Sequence, residues 1–380
     1  MFRRTSSTLQ RTIYAATAGI ALLVAGSLPA HAELLLPAMT RVVDAIDSDD
    51  ATSAAWRDDY RGWSVALDND LFAFSEHDQD YTGGFAVSMS GSETRRWLGI
   101  GSALGSIDNL LFGHNEEVAS TSVFHSAQVG LLSFTPRDIV AQDVVEGDRP
   151  YASLLYTTSV RQYVSADEKS VRQTGLTVGV LGLSLTSDLH GAIHDAVGSE
   201  TPNGYRHQIS AGGEPTARYF ISNSKLRLQR IALGSGLLEL KTTSEISVGY
   251  LAETSYAISA RMGSIGTPWW TFNPERVDYI AQPSASPGAR TNGEFYFWAG
   301  AKVRLRAYNS FLQGQFRDSA HVLGSNEVRH VIGEAWLGLT GQLASGTQMS
   351  YVIRYQTTEL RDGLGSRDPV WAGVTLTHSF

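Results

Sequence analysis

The chain has 380 residues, no cysteine, 30 basic and 38 acidic side chains, and a formal net charge of −8. That balance excludes the basic footprint of a nucleic-acid binder, and the lack of cysteine excludes disulfides and thiol catalysis. Length alone admits two domains or one large β domain.

Residues 1–32 read as a secretory signal peptide. Arg3, Arg4 and Arg11 precede the apolar run IYAATAGIALLVAG, and Ala30-His31-Ala32 places small residues at a cleavage position. Removing this segment takes away three arginines and no acid, which moves the formal charge from −8 to −11. No later stretch reaches the roughly 18 to 20 continuous apolar residues of a membrane helix, which leaves membrane barrels open. Residues 33–62, ELLLPAMTRVVDAIDSDDATSAAWRDDYRG, are acidic, lack strand alternation and read as an N-terminal extension.

From Trp63 onward period-two alternation dominates. In GFAVSMSG, Phe85, Val87 and Met89 oppose Ala86, Ser88 and Ser90, and TSYAISARMG sets Tyr256, Ile258 and Met262 against Ser255, Ser259 and Arg261. AKVRLRAY alternates Ala301, Val303, Leu305 and Ala307 with Lys302, Arg304, Arg306 and Tyr308. Three cations in one row cannot face a dry core without partners. A soluble sandwich would turn them to water, whereas a membrane barrel would turn them into a polar lumen and the apolar row toward lipid. Aromatics near strand ends (Trp63, Tyr81, Tyr151, Tyr156, Tyr250, Tyr355 and Trp371) fit interfacial girdles, and the last alternating segment, VWAGVTLTHSF, closes on Phe380. The expected fold is all-β: a transmembrane antiparallel β-barrel of about twelve strands over residues 63–380, carrying a short helix in an extracellular loop. Turn-rich breaks are expected at NSKLRLQRIALGSG, SIGTPWWTFNPERVDYIAQPSASPGARTNG and GSNEVRH.

The helix is expected in SDLHGAIHDAVGSETP. His190 and His194 stand four residues apart, Leu189, Ile193 and Val197 form an adjoining face, Ser187 offers an N-cap, and Gly198 and Pro202 supply a stop. Such a helix in a barrel loop would lie at the membrane surface. The histidine pair does not make a zincin site, because Gly191 stands where that motif needs glutamate. A structural histidine and a general base both remain open. The acid-rich stretch DNDLFAFSEHDQDYTGG, Asp68 to Gly84, fails EF-hand spacing at Phe72, although clustered oxygen donors suit a hard cation. No G-x-S-x-G elbow occurs.

NDLFAFSEHDQDYTGGFAVS resembles the first hairpin of the outer-membrane lipid A deacylases of the LpxR type, with its Asn-Asp pair followed by Asp-Tyr-Thr-x-Gly. FTPRDI, GDRPYASLLY, GVLGLSL leading into IHDAVGSETPNGYRHQI, GEPTARY and NSFLQGQFRDS then follow in the family's order. The resemblance implies a calcium-dependent ester hydrolase of the bacterial outer membrane that removes the 3′-linked acyloxyacyl group of lipid A. Carried onto matching positions, it implies catalytic roles for His194, Asn69, Asp70 and Thr82, and calcium (Ca2+) held by Asp70, Glu200 and Thr82. His194 would be the base that activates water; His190 has no counterpart. The sequence departs from the family where a lysine follows the Tyr/Phe-x-Pro turn, since Phe134-Thr135-Pro136 is followed by Arg137-Asp138-Ile139-Val140-Ala141. The expected partners are lipid A within lipopolysaccharide and the outer membrane itself, with no nucleic acid, and the expected state is a monomer. Rival readings are a phospholipase using the same groups, or a porin-like or structural barrel whose cationic row Lys302, Arg304 and Arg306 favours anions.

Overall fold

A computed structural model describes residues 60–73, 80–113, 120–197, 200–233, 236–286, 293–344 and 346–380. The expected signal peptide and residues 33–59 of the extension lie outside them.

Twelve strands alternate along the chain: β1 Gly62–Asn69, β2 Asp80–Ser90, β3 Ser120–Thr135, β4 Ala152–Ser165, β5 Ser170–Leu181, β6 Glu214–Leu233, β7 Gly236–Gly249, β8 Leu251–Ser264, β9 Phe295–Asn309, β10 Val331–Ala344, β11 Thr347–Gln356 and β12 Val370–Ser379. Each pairs antiparallel with the next, and β12 returns to β1 from Gly62↔Ser379 through Asn69↔Ala372, so the barrel closes. Closure leaves no strand with an unpaired edge, which is what a sheet in hydrocarbon requires. The end at which β1, β3 and β5 finish is called upper below.

The alternation read from sequence sorts the two faces. Leu67, Phe85, Tyr256, Ile258, Met262, Val303 and Leu305 are exposed on the outer wall, while Ala66, Ala86, Ser259, Arg261, Lys302, Arg304 and Arg306 are buried inside. The cationic row has its partners. Lys302 Nζ lies 3.5 Å from Glu334, Arg304 lies 2.7 Å from Glu253 and 2.5 Å from Glu334, and Arg306 pairs with Glu253 at 2.7 Å and with Glu359. Arg354 adds a fourth cation, 2.9 Å from Glu334.

The segment between β8 and β9 also fills the lumen. Its two-residue strands Val277–Asp278 and Ile280–Ala281 form a tight hairpin, and Arg218 pairs with Asp278. Lys241 meets Glu275 at 3.0 Å, and Trp270 stacks on Phe124 with centroids 4.7 Å apart. Tyr279, at the hairpin tip, packs edge-on against Phe134 at 4.6 Å and beside Tyr81 at 5.5 Å.

Four expectations are corrected. NSKLRLQRIAL is not a break but the lower part of β6, which is 20 residues long. Its polar residues resemble a turn, yet they alternate with Leu226, Leu228 and Ile231, and register shifts at Leu226/Leu228 and Leu228/Ile231 absorb the irregularity. Most of the supposed girdle is not at the lipid surface: Tyr81, Tyr156, Tyr250 and Trp371 belong to the inner core, and Tyr151 packs on Tyr205 at 4.6 Å. A place near a strand end does not fix which face a residue takes, and for Tyr81 a bulge decides it. Helix α2, Ser184–Val197, starts ahead of the expected cap Ser187. The SLTS run offers several competing polar starts, and the chain breaks earlier at Gly182, where φ is +73°. Finally, a second helix, α1, spans Ile100–Phe112.

The barrel belongs to a unit of Asp50–Leu183 and Asn203–Phe380, and Ser184–Pro202, which carries α2, belongs to another.

Candidate functional site

The upper end of the wall is built around a bulge in β2. Tyr81 pairs with Phe134 and Gly83 with Ser133, so Thr82 is the extra residue between them. The extra residue reverses the side-chain parity. Tyr81 points inward to Phe134, Tyr279 and Trp371, whereas Phe85, of the same sequence parity, is exposed outside. Thr82 takes the opposite face from Tyr81, and its hydroxyl shares a 2.7 Å hydrogen bond with that of Thr135.

Asn69 ends the outward row of Trp63, Val65 and Leu67 on β1, as its parity predicts. Its Nδ2 donates to the Thr82 carbonyl at 2.7 Å. Gly83, directly opposite Asn69, makes room for this contact: a Cβ there would lie 2.8 Å from the Asp68 carbonyl and 3.3 Å from Asn69 Nδ2. Asp70, one residue on, is buried, and its carbonyl accepts the Ala73 N–H at 3.0 Å, starting the turn Leu71–Ala73.

Register extends this into a row. Asn69 faces Gly83, Gly83 faces Ser133, and Ser133 faces Ser153, so all four share one rung and one face of the barrel. Below it the same face carries Leu67, Phe85, Leu131 and Leu155. The outer wall therefore changes from apolar to polar at this rung. The segment after α2 covers its far end: the Tyr205 and Ser133 hydroxyls are 2.6 Å apart, and Ser153 donates to Gln208 Oε1 at 2.8 Å.

An ion-pair chain holds the bulge from the inner side. Asp80 has a left-handed φ of +66°, which aspartate tolerates better than most residues. Its carboxylate accepts from Arg367 Nε at 2.8 Å and lies 4.0 Å from Arg149. Arg367 also donates to Asp148 at 3.1 Å. Asp148 in turn accepts the backbone N–H groups of Arg137 at 2.9 Å and Arg149 at 2.8 Å, and the Arg149 guanidinium lies 4.5 Å above the Phe134 ring. GDRPYA thus ties the β3–β4 loop to the bulge. Glu359, outside the strands, meets Arg306, Arg149 at 3.5 Å and the Tyr279 hydroxyl at 2.6 Å. Burial alone would raise its pKa, but the Arg306 and Arg149 charges outweigh that and hold it below the ordinary glutamate value.

Of the residues singled out from sequence, the structure joins Asn69 and Thr82 directly and places Asp70 beside Asn69. His194 lies on α2, one turn beyond the buried His190; its side chain is outside the described residues. Glu200 follows the helix and is exposed. Glu76 and Asp78 of the acid-rich stretch also lie outside the described residues. Arg137, at the departure from the family's lysine, is exposed. Oxygen donors from Asp70, Thr82 and Glu200 have the chemistry of a hard-cation site, although among the described residues no group of three or more His, Cys, Asp or Glu is gathered as a ligand set. Sequence reading missed Ser133, Thr135, Ser153, Tyr205 and Gln208. The available signal was polar side chains at outward parity, where a lipid-facing row should be apolar.

No curated protein sequence matches the chain. Among solved structures, LpxR from Salmonella typhimurium superposes with a TM-score of 0.65 at 15% identity, covering 84% of this chain and 100% of that one. The β domain of the Bordetella autotransporter BrkA gives a weaker likeness, a TM-score of 0.40 at 11% identity over 84% of this chain and 100% of that one. The family model described as "Outer membrane protein LpxR" matches residues 21–380. With a closed twelve-stranded barrel and a family match over nearly its whole length, this chain belongs to the LpxR family of outer membrane proteins.

Proposed function

We propose that the protein is a lipid A esterase that removes the 3′-linked acyloxyacyl group at the upper rung of its outer wall. The observation that carries this reading is the rung itself. Asn69, Ser133 and Ser153 put polar groups on the outward face of the barrel, directly above the apolar rows, with Ser133 and Ser153 covered by Tyr205 and Gln208. An acyl ester of a lipid lies at that kind of boundary, between hydrocarbon and headgroup.

In this reading His194 takes a proton from water, which attacks the ester carbonyl. The carbonyl carbon–oxygen bond to the sugar breaks, the fatty acid leaves, and the proton passes to the sugar oxygen. Asn69, its amide oriented by the Thr82 carbonyl, donates to the developing oxyanion. Thr82 is fixed by Thr135 and by the bulge, so the amide is positioned before substrate arrives. Asp70, Thr82 and Glu200 are the residues that would hold calcium, which when bound supplies Lewis-acid polarisation of the carbonyl. Arg137, at a different position from the family's lysine and exposed after the Phe-Thr-Pro turn, is the residue that would meet a lipid phosphate in its stead.

The filled lumen favours this reading over a porin. Lys302, Arg304 and Arg306 are consumed in ion pairs with Glu253, Glu334 and Glu359, and the Val277–Ala281 hairpin lies among them. The deciding experiment is mass spectrometry of lipid A from cells expressing wild type or His194→Ala, in calcium. We expect loss of the 3′-linked acyl group with wild type only, at equal amounts of heat-modifiable barrel. Identical lipid A from both, with release of fatty acid from defined glycerophospholipid instead, would transfer the activity to a phospholipase.

A further inference from the structure

Helix α1 lies on the outside of the barrel. It packs over the outward-facing residues of β4, β5 and β6, in the lower half of the wall. Trp97 Nε1, just ahead of the helix, donates to Thr157 at 2.7 Å, and Arg161 donates to the Gly101 carbonyl at 3.3 Å. Asp108 is buried at the centre of the contact. It accepts from Thr174 at 2.8 Å, from Tyr219 at 3.1 Å and from Tyr163 at 3.4 Å. The helix can lie this close because Gly101 and Gly105, one turn apart, have no side chains: a Cβ on Gly105 would fall 2.2 Å from Arg161 Nη2.

The wall beneath is polar where a lipid-facing wall should not be. Thr157, Arg161, Tyr163, Thr174 and Tyr219 are all on outward parity, and α1 shields them. The helix then presents its own surface in place of theirs. Leu98 is 52% exposed, Leu110 85% and Leu111 56%, and the only charged residue on α1 itself is the buried Asp108. A helix satisfies its backbone internally and is therefore compatible with lipid contact. Arg95 and Arg96 are exposed immediately before it, and among the described residues neither has an acidic partner.

We infer that α1 and the turn before it form an interfacial lipid-binding element: Leu98, Leu110 and Leu111 enter the acyl boundary of the leaflet at the lower end, and Arg95 and Arg96 engage its anionic phospholipid headgroups. An amphipathic helix with flanking arginines gains from both terms, buried apolar area and attraction to negative headgroups.

The chain has no cysteine, so Leu110→Cys accepts a single environment-sensitive fluorophore on the full chain, refolded in vesicles of phosphatidylethanolamine and phosphatidylglycerol. Lys169→Cys, in the exposed β4–β5 turn, is the aqueous control. The label at position 110 should emit blue-shifted, resist aqueous iodide and be quenched by acyl-brominated lipid; the control should do the reverse. Quenching by brominated phosphatidylglycerol should exceed that by brominated phosphatidylcholine several-fold, and Arg95→Gln with Arg96→Gln should equalise them. Heat-modifiable migration selects folded samples, and Leu111→Cys replaces Leu110→Cys if the latter does not fold. A label at 110 or 111 that iodide reaches as readily as the control overturns the proposal, and equal quenching by the two lipids in the wild-type background overturns its anionic part.

Discussion

In the lumen, Glu334 meets Lys302, Arg304 and Arg354; on the upper outer wall, Asn69 meets the backbone carbonyl of a bulge. Both regions bury polar side chains in a membrane protein, and both were visible in the sequence as polar residues in alternating rows. The lumen carries far more charge, yet its charges neutralise one another across facing strands and the inserted hairpin. The outer rung carries little charge but breaks the apolar face at one height. Charge density therefore marks structure here, and polarity on the lipid side marks the candidate site.

The difference can be broken most forcefully from the lumen side. Glu334→Gln leaves Lys302, Arg304 and Arg354 short of a buried partner, and losing one member of such a set costs about 3–5 kcal/mol. A denaturant melt of the refolded barrel should show that loss, while deacylation per folded molecule stays close to wild type. Asn69→Ala should do the opposite. We expect the rate to fall by about 10²–10³-fold, the cost of removing one oxyanion donor, with little change in unfolding midpoint. An equal loss of stability and activity in either variant would erase the distinction between the two regions.

A smaller effect tests the outer wall's other polar contact. Asp108→Ala strands the hydroxyls of Thr174 and Tyr219, costing about 1–3 kcal/mol for a buried unsatisfied group. Burial pushes the Asp108 carboxyl above the ordinary aspartate value, with its hydroxyl donors and Arg161 opposing. A raised folded pKa stabilises below the unfolded value and that contribution is lost as pH rises through the folded one. Asp108→Asn should therefore cost less than Asp108→Ala at neutral pH, measured by thermal unfolding in detergent.

The smallest separation is in acid. Glu359 has a lowered folded pKa, so its stabilisation is complete above the ordinary glutamate value of about 4.3 and is lost as pH falls through the lower folded value. On acidification the wild-type melting curve should lose this contribution only below about 4.3, and Glu359→Gln, which lacks it, should lose less over the same range.

Legibility in the sequence followed the strength of local periodicity. The row Val303, Leu305 against Lys302, Arg304 and Arg306 needed nothing but pleat geometry, and Asn69 was placed at the head of its row by the same count. The helix α1 was hidden because Gly101, Ser102, Gly105 and Ser106 interrupt its apolar repeat, and its packing face is defined by small residues rather than large ones. Tyr81 and Trp371 looked like girdle residues because chain position says how far along a strand a residue lies and not which face it takes. Ser133, Ser153, Tyr205 and Gln208 are far apart in sequence, and only strand register makes them neighbours.

The sequence by itself determined the alternation, the hairpin carrying Asn69, Asp70 and Thr82, and the helix carrying His194, because each is a local pattern within one helix or one strand pair. Tertiary structure decided what those patterns face. One inserted residue at Thr82 reversed the parity of Tyr81, the registers joining β1, β2, β3 and β4 fixed the lateral rung, and Val277 of the inserted hairpin supplied a carbonyl to Lys302 and Arg304. Side-chain direction in a sheet depends on register counted from the nearest bulge, and register is set by the neighbouring strand rather than by the strand's own residues.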